Sequence, residues 1–185
     1  SDATSGLTAN PACGRAFDLL LEAGATCIFE ETGELIGCEH FLAQRAVHPE
    51  VAQQLIQSVQ KAARYYRAYG HASFASGNAE GGLTTIEEKS LGAYSKTGRS
   101  PITGYLKPGQ QPPRPGLYLM DVVPDGEPLW GFPNISDNAE IVELIACGVH
   151  LTLFTTGRGS VVGSAIAPVL KVCANPETYR RMSED

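Results

Sequence analysis

Residues 136–159 read SDNAEIVELIACGVHLTLFTTGRG, and this stretch indicates the class of fold. Ser136 is a typical residue before the first turn of a helix, and Gly148 is a typical residue after the last turn. Between them Ile141 belongs to an apolar set at helical spacing. His150–Phe154 then has the composition of a buried strand. The stretch therefore predicts a helix followed directly by a strand.

A further strand is expected ahead of this helix, at Gly116–Asp121. Strand, helix and strand in this order predict a right-handed parallel crossover within one sheet. The loop Thr155–Gly159 would then lie at the carboxyl edge of that sheet, where open α/β sheets bind ligands. We predict an α/β fold with a mostly parallel sheet and flanking helices, formed by residues 1–185 as one domain-sized part of a larger catalytic region.

The remaining elements are predicted from apolar spacing and from the residues that start and stop helices. The first are a helix from Asn10 as cap to Gly24, with Ala12, Ala16, Leu19 and Leu20 at helical spacing, and a strand at Ala25–Phe29. A helix is expected from Pro49 to about Tyr69, with Val51, Leu55, Ile56, Val59 and Ala63 on one face, then a loop at Ser73–Gly82 and a helix from Thr84 or Thr85 to about Lys96. The others are a strand at Ile102–Leu106, an extended connection at Lys107–Pro115, a strand at Pro168–Cys173 and a short helix from Asn175.

Charge and hydropathy exclude several classes of partner. The net charge of −6 argues against a surface that binds nucleic acid or anionic lipid. No apolar run approaches the ~20 residues of a membrane span. The residues after Ser1 also lack the basic and apolar regions of a secretory leader. We therefore expect a cytoplasmic protein whose partner is a small anionic molecule.

The Thr155–Gly159 loop is a candidate anion-binding site. Thr155 and Thr156 provide hydroxyls, Gly157 and Gly159 leave backbone amides accessible, and Arg158 provides a guanidinium. These groups suit a carboxylate or a sulfonate. The same residues also fit a tight turn with a surface arginine, and composition alone leaves both interpretations open.

A second candidate is the glycine-rich run that ends in Glu87, Glu88 and Lys89. Threonine and glutamate here have the spacing of a helix-capping box, which would make the acidic residues part of an ordinary helix start. The functional alternative turns Glu88 and Lys89 toward a pocket, where they can exchange protons.

A third candidate is the acidic segment Glu30–Glu34, expected at the carboxyl end of the first strand. Glu31 and Glu34, together with Glu39 and His40, are residue types that bind divalent ions. Their spacing matches no recognised metal motif, and a Glu-His pair is more typical of a helix surface. Metal ligands are therefore left unassigned.

Gly81–Gly92 resembles a distinctive signature of the altronate and galactarate dehydratase family. Three further segments resemble the same family in the same order, namely Ser1–Gly6 with Ala9–Pro11, Phe29–Glu34 and Phe154–Gly159. Together they extend along the whole chain. The resemblance identifies the chain as similar to the C-terminal catalytic region of these enzymes.

The resemblance implies a hydro-lyase that removes a proton next to a carboxylate and expels a β hydroxyl. It implies a divalent metal, usually iron(II), and a small anionic hydroxy acid as substrate. The family also includes the large subunit of sulfolactate sulfo-lyase, which Ser160–Ile166 resembles somewhat more. A noncatalytic domain that binds the sugar acid, or assembles with the rest of the enzyme, is the alternative from a different class.

Under the hypothesis of a lyase domain, we expect the candidate residues to divide into two roles. Glu31, Glu34, Glu88 and Lys89 are assigned to catalysis, and Asp2, Thr155, Thr156, Gly157, Arg158 and Gly159 to substrate binding. We expect the chain to be truncated at both ends relative to the family. Its partner would be the remainder of the parent enzyme or a small subunit, with a homo-oligomer as a further option.

Five cysteines give the first testable prediction. Cys13, Cys27, Cys38, Cys147 and Cys173 are widely spaced, and most lie in apolar segments, so we expect reduced, mostly buried thiols. Thiol titration of freshly prepared protein, denatured without reductant, should find all five free. A lower number would contradict this interpretation.

Overall fold

The structure is a computed structural model, and it describes residues 2–70, 73–74, 76–126 and 135–184. Seven α-helices and five strands occur in these ranges. The helices are α1 Asn10–Glu22, α2 Glu39–Ala43, α3 Pro49–Ala68, α4 Ser76–Glu80, α5 Ile86–Lys96, α6 Asp137–Ala146 and α7 Pro176–Arg181. The strands are β1 Cys27–Phe29, β2 Ile102–Leu106, β3 Leu117–Met120, β4 Thr152–Thr156 and β5 Val169–Cys173. The predicted α/β class is confirmed.

The strands form two parallel sheets. In the larger sheet β3 lies between β1 and β2, with Cys27 opposite Leu117 and Leu106 opposite Met120. In the smaller sheet β4 pairs with β5. The prediction that β3, α6 and β4 form a crossover within one sheet is wrong. Because β3 already has a partner on each side, it has no free edge for β4.

The main core lies between α3 and the larger sheet. Leu55, Ile102, Leu117 and Leu119 are fully buried there. Val51 and Val59 of α3 are buried as predicted, while Ile56 and Ala63 lie at the margin of the contact. A second cluster joins the end of α3 to α6 through Met120 and Leu144. Tyr65 belongs to this cluster, and Tyr66 and Tyr69 pack against it.

The first helix departs from its predicted start and from its predicted face. A π-helical turn, Ser5–Ala9, runs directly into α1, so Asn10 is not a cap. Its side-chain amide instead donates to the carbonyl of Gly92 at 3.0 Å. Leu19 and Leu20 remain 49% and 45% exposed. The buried face is made of smaller residues because α1 packs closely on α5, where a side chain at Gly14 would overlap the backbone of Ser95.

All five cysteines are free, and four of them are buried while Cys173 is partly buried. Burial raises the pKa of Cys27 and of Cys38 to about 11, so both remain neutral thiols near pH 7. Within the described ranges, no helix has both the length and the apolar character needed to cross a membrane.

A buried charge network holds the carboxyl ends of β2 and β3. The Asp121 carboxylate is fully buried, pairs with Lys61 and with Lys107, and accepts a hydrogen bond of 2.6 Å from the Tyr105 hydroxyl. Both lysines also contact Asp125, which is 75% exposed. The network therefore joins α3 to the ends of two strands.

We predict that Asp121→Ala destabilises the domain by about 3–5 kcal/mol, because it leaves two ammonium groups without their buried partner. Asp125→Ala is the matched control, and it should cost about 1 kcal/mol or less because its carboxylate is exposed. The thermal unfolding midpoints of the two variants in the complete enzyme provide the comparison. Equal shifts would contradict the structural role assigned to Asp121.

Candidate functional site

The carboxyl end of β1 turns sharply into a 3-10 turn, Thr32–Leu35. The buried Thr32 hydroxyl donates to the carbonyl of Glu30 at 2.9 Å. Gly33 packs so closely on the Tyr66 ring that any side chain there would overlap it. This tight turn places the carboxylates of Glu31 and Glu34 beside α5.

Two lysines of α5 meet these carboxylates. Lys96 donates to Glu31, and Lys89 lies 3.0 Å from Glu34. Lys89 is buried and also donates to the carbonyl of Ser73 at 2.6 Å and to the Asn78 amide oxygen at 3.2 Å. Two carboxylate–ammonium pairs therefore join the end of β1 to α5.

The ion pairs shift the pKa values of Lys96 and Glu34 in opposite directions. Burial opposes the charged form of Lys96, but Glu31 and Glu34 outweigh it and raise the pKa of Lys96 to about 12. Burial likewise acts against ionised Glu34, yet positive charges that include Lys89 and Lys96 hold the pKa of Glu34 below its usual range. Lys96 and Glu34 are therefore both ionised at neutral pH.

A cleft of about 1010 Å³ opens next to these pairs. Its size is at the upper end of the range of small-molecule sites. Its polar lining includes Asp2, then Glu30, Glu31 and Glu34, then Asn78, Lys96, Asp137 and Glu140 of α6, and Thr152–Ser160. The cleft therefore brings the carboxyl ends of β1 and β4 together across the two sheets.

Three buried polar atoms in the cleft lining have no hydrogen-bond partner among the described residues. They are Oε2 of Glu30, Oγ1 of Thr152 and Oγ1 of Thr155. Both threonines are 8% exposed. Because buried polar atoms in folded proteins nearly always have a partner, these atoms indicate a site for a polar ligand or ordered water.

Two carboxyl groups in the cleft differ from the paired ones. Burial, followed by repulsion from Glu31, raises the pKa of Glu140 to about 8. Burial, followed by repulsion from Glu140, also raises the pKa of Glu30 well above its usual range. Glu140 therefore holds a proton at neutral pH and can act as a hydrogen-bond donor, and burial favours the protonated form of Glu30 as well.

The predicted anion loop begins within a strand. Thr155 and Thr156 are the last residues of β4, and they lie in the cleft with Gly157. Gly157 packs on the buried carboxylate of Asp2, which accepts hydrogen bonds from the Ser5 amide and the Thr4 hydroxyl at 2.8 and 2.9 Å. The structure therefore brings Asp2 and the Thr155–Gly159 segment together.

Arg158 lies at the rim of the cleft. Its guanidinium donates to the carbonyl of Gly77 at 2.9 Å and pairs with Glu80 at 3.0 Å, and its side chain is 53% exposed. Gly77 and Glu80 belong to α4, a short helix within the segment that was predicted to be a loop. The amide of Gly159 donates to Thr156 at 3.0 Å and completes the turn.

The structure separates the predicted catalytic residues into three groups. Glu31 and Glu34 line the cleft. Lys89 lies behind Glu34, buried against α4. Glu88 is exposed at the start of α5, where its carboxylate accepts hydrogen bonds from the amide and hydroxyl of Thr84, and its catalytic assignment stays a prediction.

Sequence reasoning missed four residues of this site: Asn78, Lys96, Glu140 and Thr152. Lys96 had a usable signal, because it follows Lys89 by two helical turns and lies on a similar face. Glu140 had no usable sequence signal, since acidic residues are common in the first turn of any helix, where they interact favourably with the helix dipole. Thr152 was assigned only to a strand interior.

A metal site is not formed by the predicted ligands. No group of three or more His, Cys, Asp or Glu side chains in the described ranges is arranged to hold an ion. Glu31 and Glu34 are paired with lysines, and His40 is exposed on α2. The described residues alone therefore do not fit a divalent metal, and no reaction step is assigned to one.

The parallel sheets and the polar cleft at their carboxyl ends define an α/β domain with a cleft of the size that binds small molecules. The model of the family described as D-galactarate/altronate dehydratase, C-terminal, matches residues 1–185. The chain belongs to this family, as the motif resemblance predicted.

Three relatives show the extent of the similarity. The beta subunit of (2R)-sulfolactate sulfo-lyase from Chromohalobacter salexigens is 40% identical over 191 residues, which is 100% of this chain and 46% of the relative. Galactarate dehydratase (L-threo-forming) from Escherichia coli is 36% identical over 98% of this chain and 33% of its own length. Altronate dehydratase from Bacillus subtilis is 36% identical over 97% of this chain and 34% of its own length. The chain thus spans between a third and a half of the length of these relatives.

We predict that Gly157→Ala disturbs the cleft, because the added methyl group would overlap the Asp2 carboxylate and the Thr4 hydroxyl. Overpacking of this kind costs about 1–3 kcal/mol. Gly163→Ala is the control, since nothing lies within 4 Å of its added methyl group. The thermal midpoints of the two variants should differ, and a Gly157→Ala protein as stable as the control would show that the loop is not packed on Asp2.

Proposed function

We propose that this chain is part of a hydro-lyase that binds a sugar acid, such as altronate or galactarate, and removes water from it. The observation that carries the proposal is the set of three unpartnered polar atoms in the cleft, next to ionised and protonated carboxyl groups. A ligand with several hydroxyls and a carboxylate matches such a lining. The names of the dehydratases in its family support the same class of reaction.

Elimination requires a base, a cation near the developing negative charge, and a place for the substrate carboxylate. Glu31 is the base in this proposal, because it lines the cleft beside Lys96. Removal of the α proton places negative charge on the substrate, and Lys96 is positioned to stabilise it. Glu34 and Lys89 hold the end of β1 against α5 and so orient Glu31.

The substrate carboxylate binds at the rim, to Arg158 and the amides of Gly157 and Gly159. Arg158 must then exchange Glu80 for the substrate, which is feasible because an exposed ion pair is weak. The substrate hydroxyls bind deeper in the cleft, to Thr155 and Thr156 near the Asp2 carboxylate.

The rest of the proposal concerns the complete enzyme. A divalent metal, iron(II) by family resemblance, is proposed as a cofactor of the complete enzyme, where it would supply a Lewis acid. Its ligands are not assigned to described residues. The proposed partner is the remainder of the parent chain or a small subunit, and the proposed location is the cytoplasm.

A second candidate is the elimination of sulfite from sulfolactate. The 40% identity to the beta subunit of (2R)-sulfolactate sulfo-lyase, along the whole chain, supports this second candidate. Both reactions remove a proton next to a carboxylate and differ in the β leaving group.

We predict that the complete enzyme, supplied with iron(II) without oxygen, converts altronate or galactarate into a 2-keto-3-deoxy acid. Product analysis on altronate, galactarate and sulfolactate tests this. Sulfite release from sulfolactate alone would replace the dehydratase assignment with the sulfo-lyase one. Binding of these acids without turnover would assign the chain to a noncatalytic domain.

We predict that Arg158→Lys lowers kcat/KM by roughly ten- to 150-fold, because lysine cannot bind a carboxylate through two parallel hydrogen bonds. This corresponds to a loss of about 1.5–3 kcal/mol. Arg180→Lys is the control, because Arg180 pairs only with Glu177 on the surface of α7 among the described residues, and it should change kcat/KM less than twofold.

Glu80→Gln tests the same contact from the other side. It removes the carboxylate that competes with the substrate for Arg158, so it should lower KM or leave it unchanged. Unchanged turnover in a folded Arg158→Lys enzyme would show that the loop is only a turn.

A further inference from the structure

We propose that Glu140, in the first turn of α6, is the acid that protonates the departing hydroxyl. This inference rests on the proposed dehydration and adds the residue for its second proton transfer. It assigns to α6 a direct part in the chemistry, whereas the sequence predicted only a helix that leads into β4.

The carboxyl groups of the cleft differ in whether they form an ion pair with a lysine. The two that face α5, Glu31 and Glu34, are each paired with a lysine. Glu140 projects into the same cleft from α6, and none of the ion pairs found among the described residues includes it. Among the described residues Glu140 therefore has no lysine partner that would hold it in the ionised form, unlike Glu31 and Glu34.

The threonine hydroxyls supply an independent indication that a ligand lies in this cleft. Oγ1 of Thr152 and Oγ1 of Thr155 are buried in its lining without a partner among the described residues. A hydroxy acid that bonds to them lies between β4 and the acidic end of β1. Glu140 lines the same space, so it is placed to reach a hydroxyl of that ligand.

The charges around Glu140 keep its proton in place. The groups that face it are Glu30, Glu31 and Glu34 at the end of β1, Tyr66 of α3, Lys96 of α5, and Asp137 and Glu143 of its own helix. Most of them are acidic, and burial acts in the same direction. The pKa of about 8 means that Glu140 is mostly protonated at pH 7 and can lose its proton during turnover.

The proposed step is balanced in protons and electrons. The base removes the α proton, and the electron pair of the C–H bond forms the carbon–carbon double bond. The β C–O bond breaks with its electron pair on oxygen, which takes the proton of Glu140 and leaves as water. Glu140 is left as a carboxylate and regains a proton from solvent, while the enol product rearranges to the 2-keto acid.

The test compares two leaving groups in the complete, iron-loaded enzyme. One substrate is the hydroxy acid that the wild type dehydrates, and the other is its analogue with chlorine in place of the departing hydroxyl. Chloride leaves without a proton, so only the hydroxy acid needs an acid. Glu140→Gln should lower kcat for the hydroxy acid by roughly 10²- to 10⁴-fold and for the chloro analogue by less than about tenfold.

The dependence of kcat on pH gives a second readout. In the wild type, kcat for the hydroxy acid should fall as pH rises through about 8, because Glu140 loses its proton there. This fall should be absent with the chloro analogue. Glu50→Gln, at an exposed position in the first turn of α3 and away from the cleft, is the control and should change both substrates less than about threefold.

The outcomes separate the two proposals. Equal losses on both substrates in Glu140→Gln would show that Glu140 has only a structural role, although the dehydratase function would stand. A wild-type enzyme that turns over neither altronate nor galactarate would overturn the proposed function itself, whatever the variant does.

Discussion

Two largely buried ion pairs, Glu31 with Lys96 and Glu34 with Lys89, are the contacts on which the site depends. They bring the end of β1 to α5, and Lys89 extends the connection to α4 through Ser73 and Asn78. Buried pairs rarely add net stability compared with apolar residues of similar size, but losing one partner is costly. These pairs instead hold carboxylates and ammonium groups at the edge of the cleft. An apolar pair would provide neither a charge nor a proton-transfer group there.

The division into two sheets explains why there is a cleft at all. Because β3 is enclosed by β1 and β2, β4 pairs with β5 instead, and the ends of β1 and β4 face one space from different sheets. Acidic groups from one side and hydroxyls from the other then meet around a ligand-sized volume.

Local sequence signals predicted the local structure well. Ser136 and Thr85 cap their helices, and Gly24, Gly70, Gly98 and Gly148 follow helix ends with positive φ, as their positions indicated. The acidic end of β1 and the segment after β4 were also found from sequence. Two local predictions were wrong, namely Asn10 as a cap and a loop where α4 lies. The larger failures were long-range: the sheet to which β4 belongs, and the face by which α1 packs. Neither has a local signal, since strand pairing depends on free edges and α1 packs through Gly14 and Asn10 instead of its leucines.

The cleft combines residues from nearly the whole length of the chain, from Asp2 to Ser160. Even the central sheet needs distant segments, since β1 at Cys27 pairs with β3 at Leu117. Contacts of such large sequence separation form slowly, because the intervening chain must lose entropy before they contribute. During synthesis Lys96 emerges 65 residues after Glu31, β3 follows soon after it, and α6 and β4 emerge later still. A ribosome-bound chain therefore cannot bind a ligand until most of this domain has left the exit tunnel.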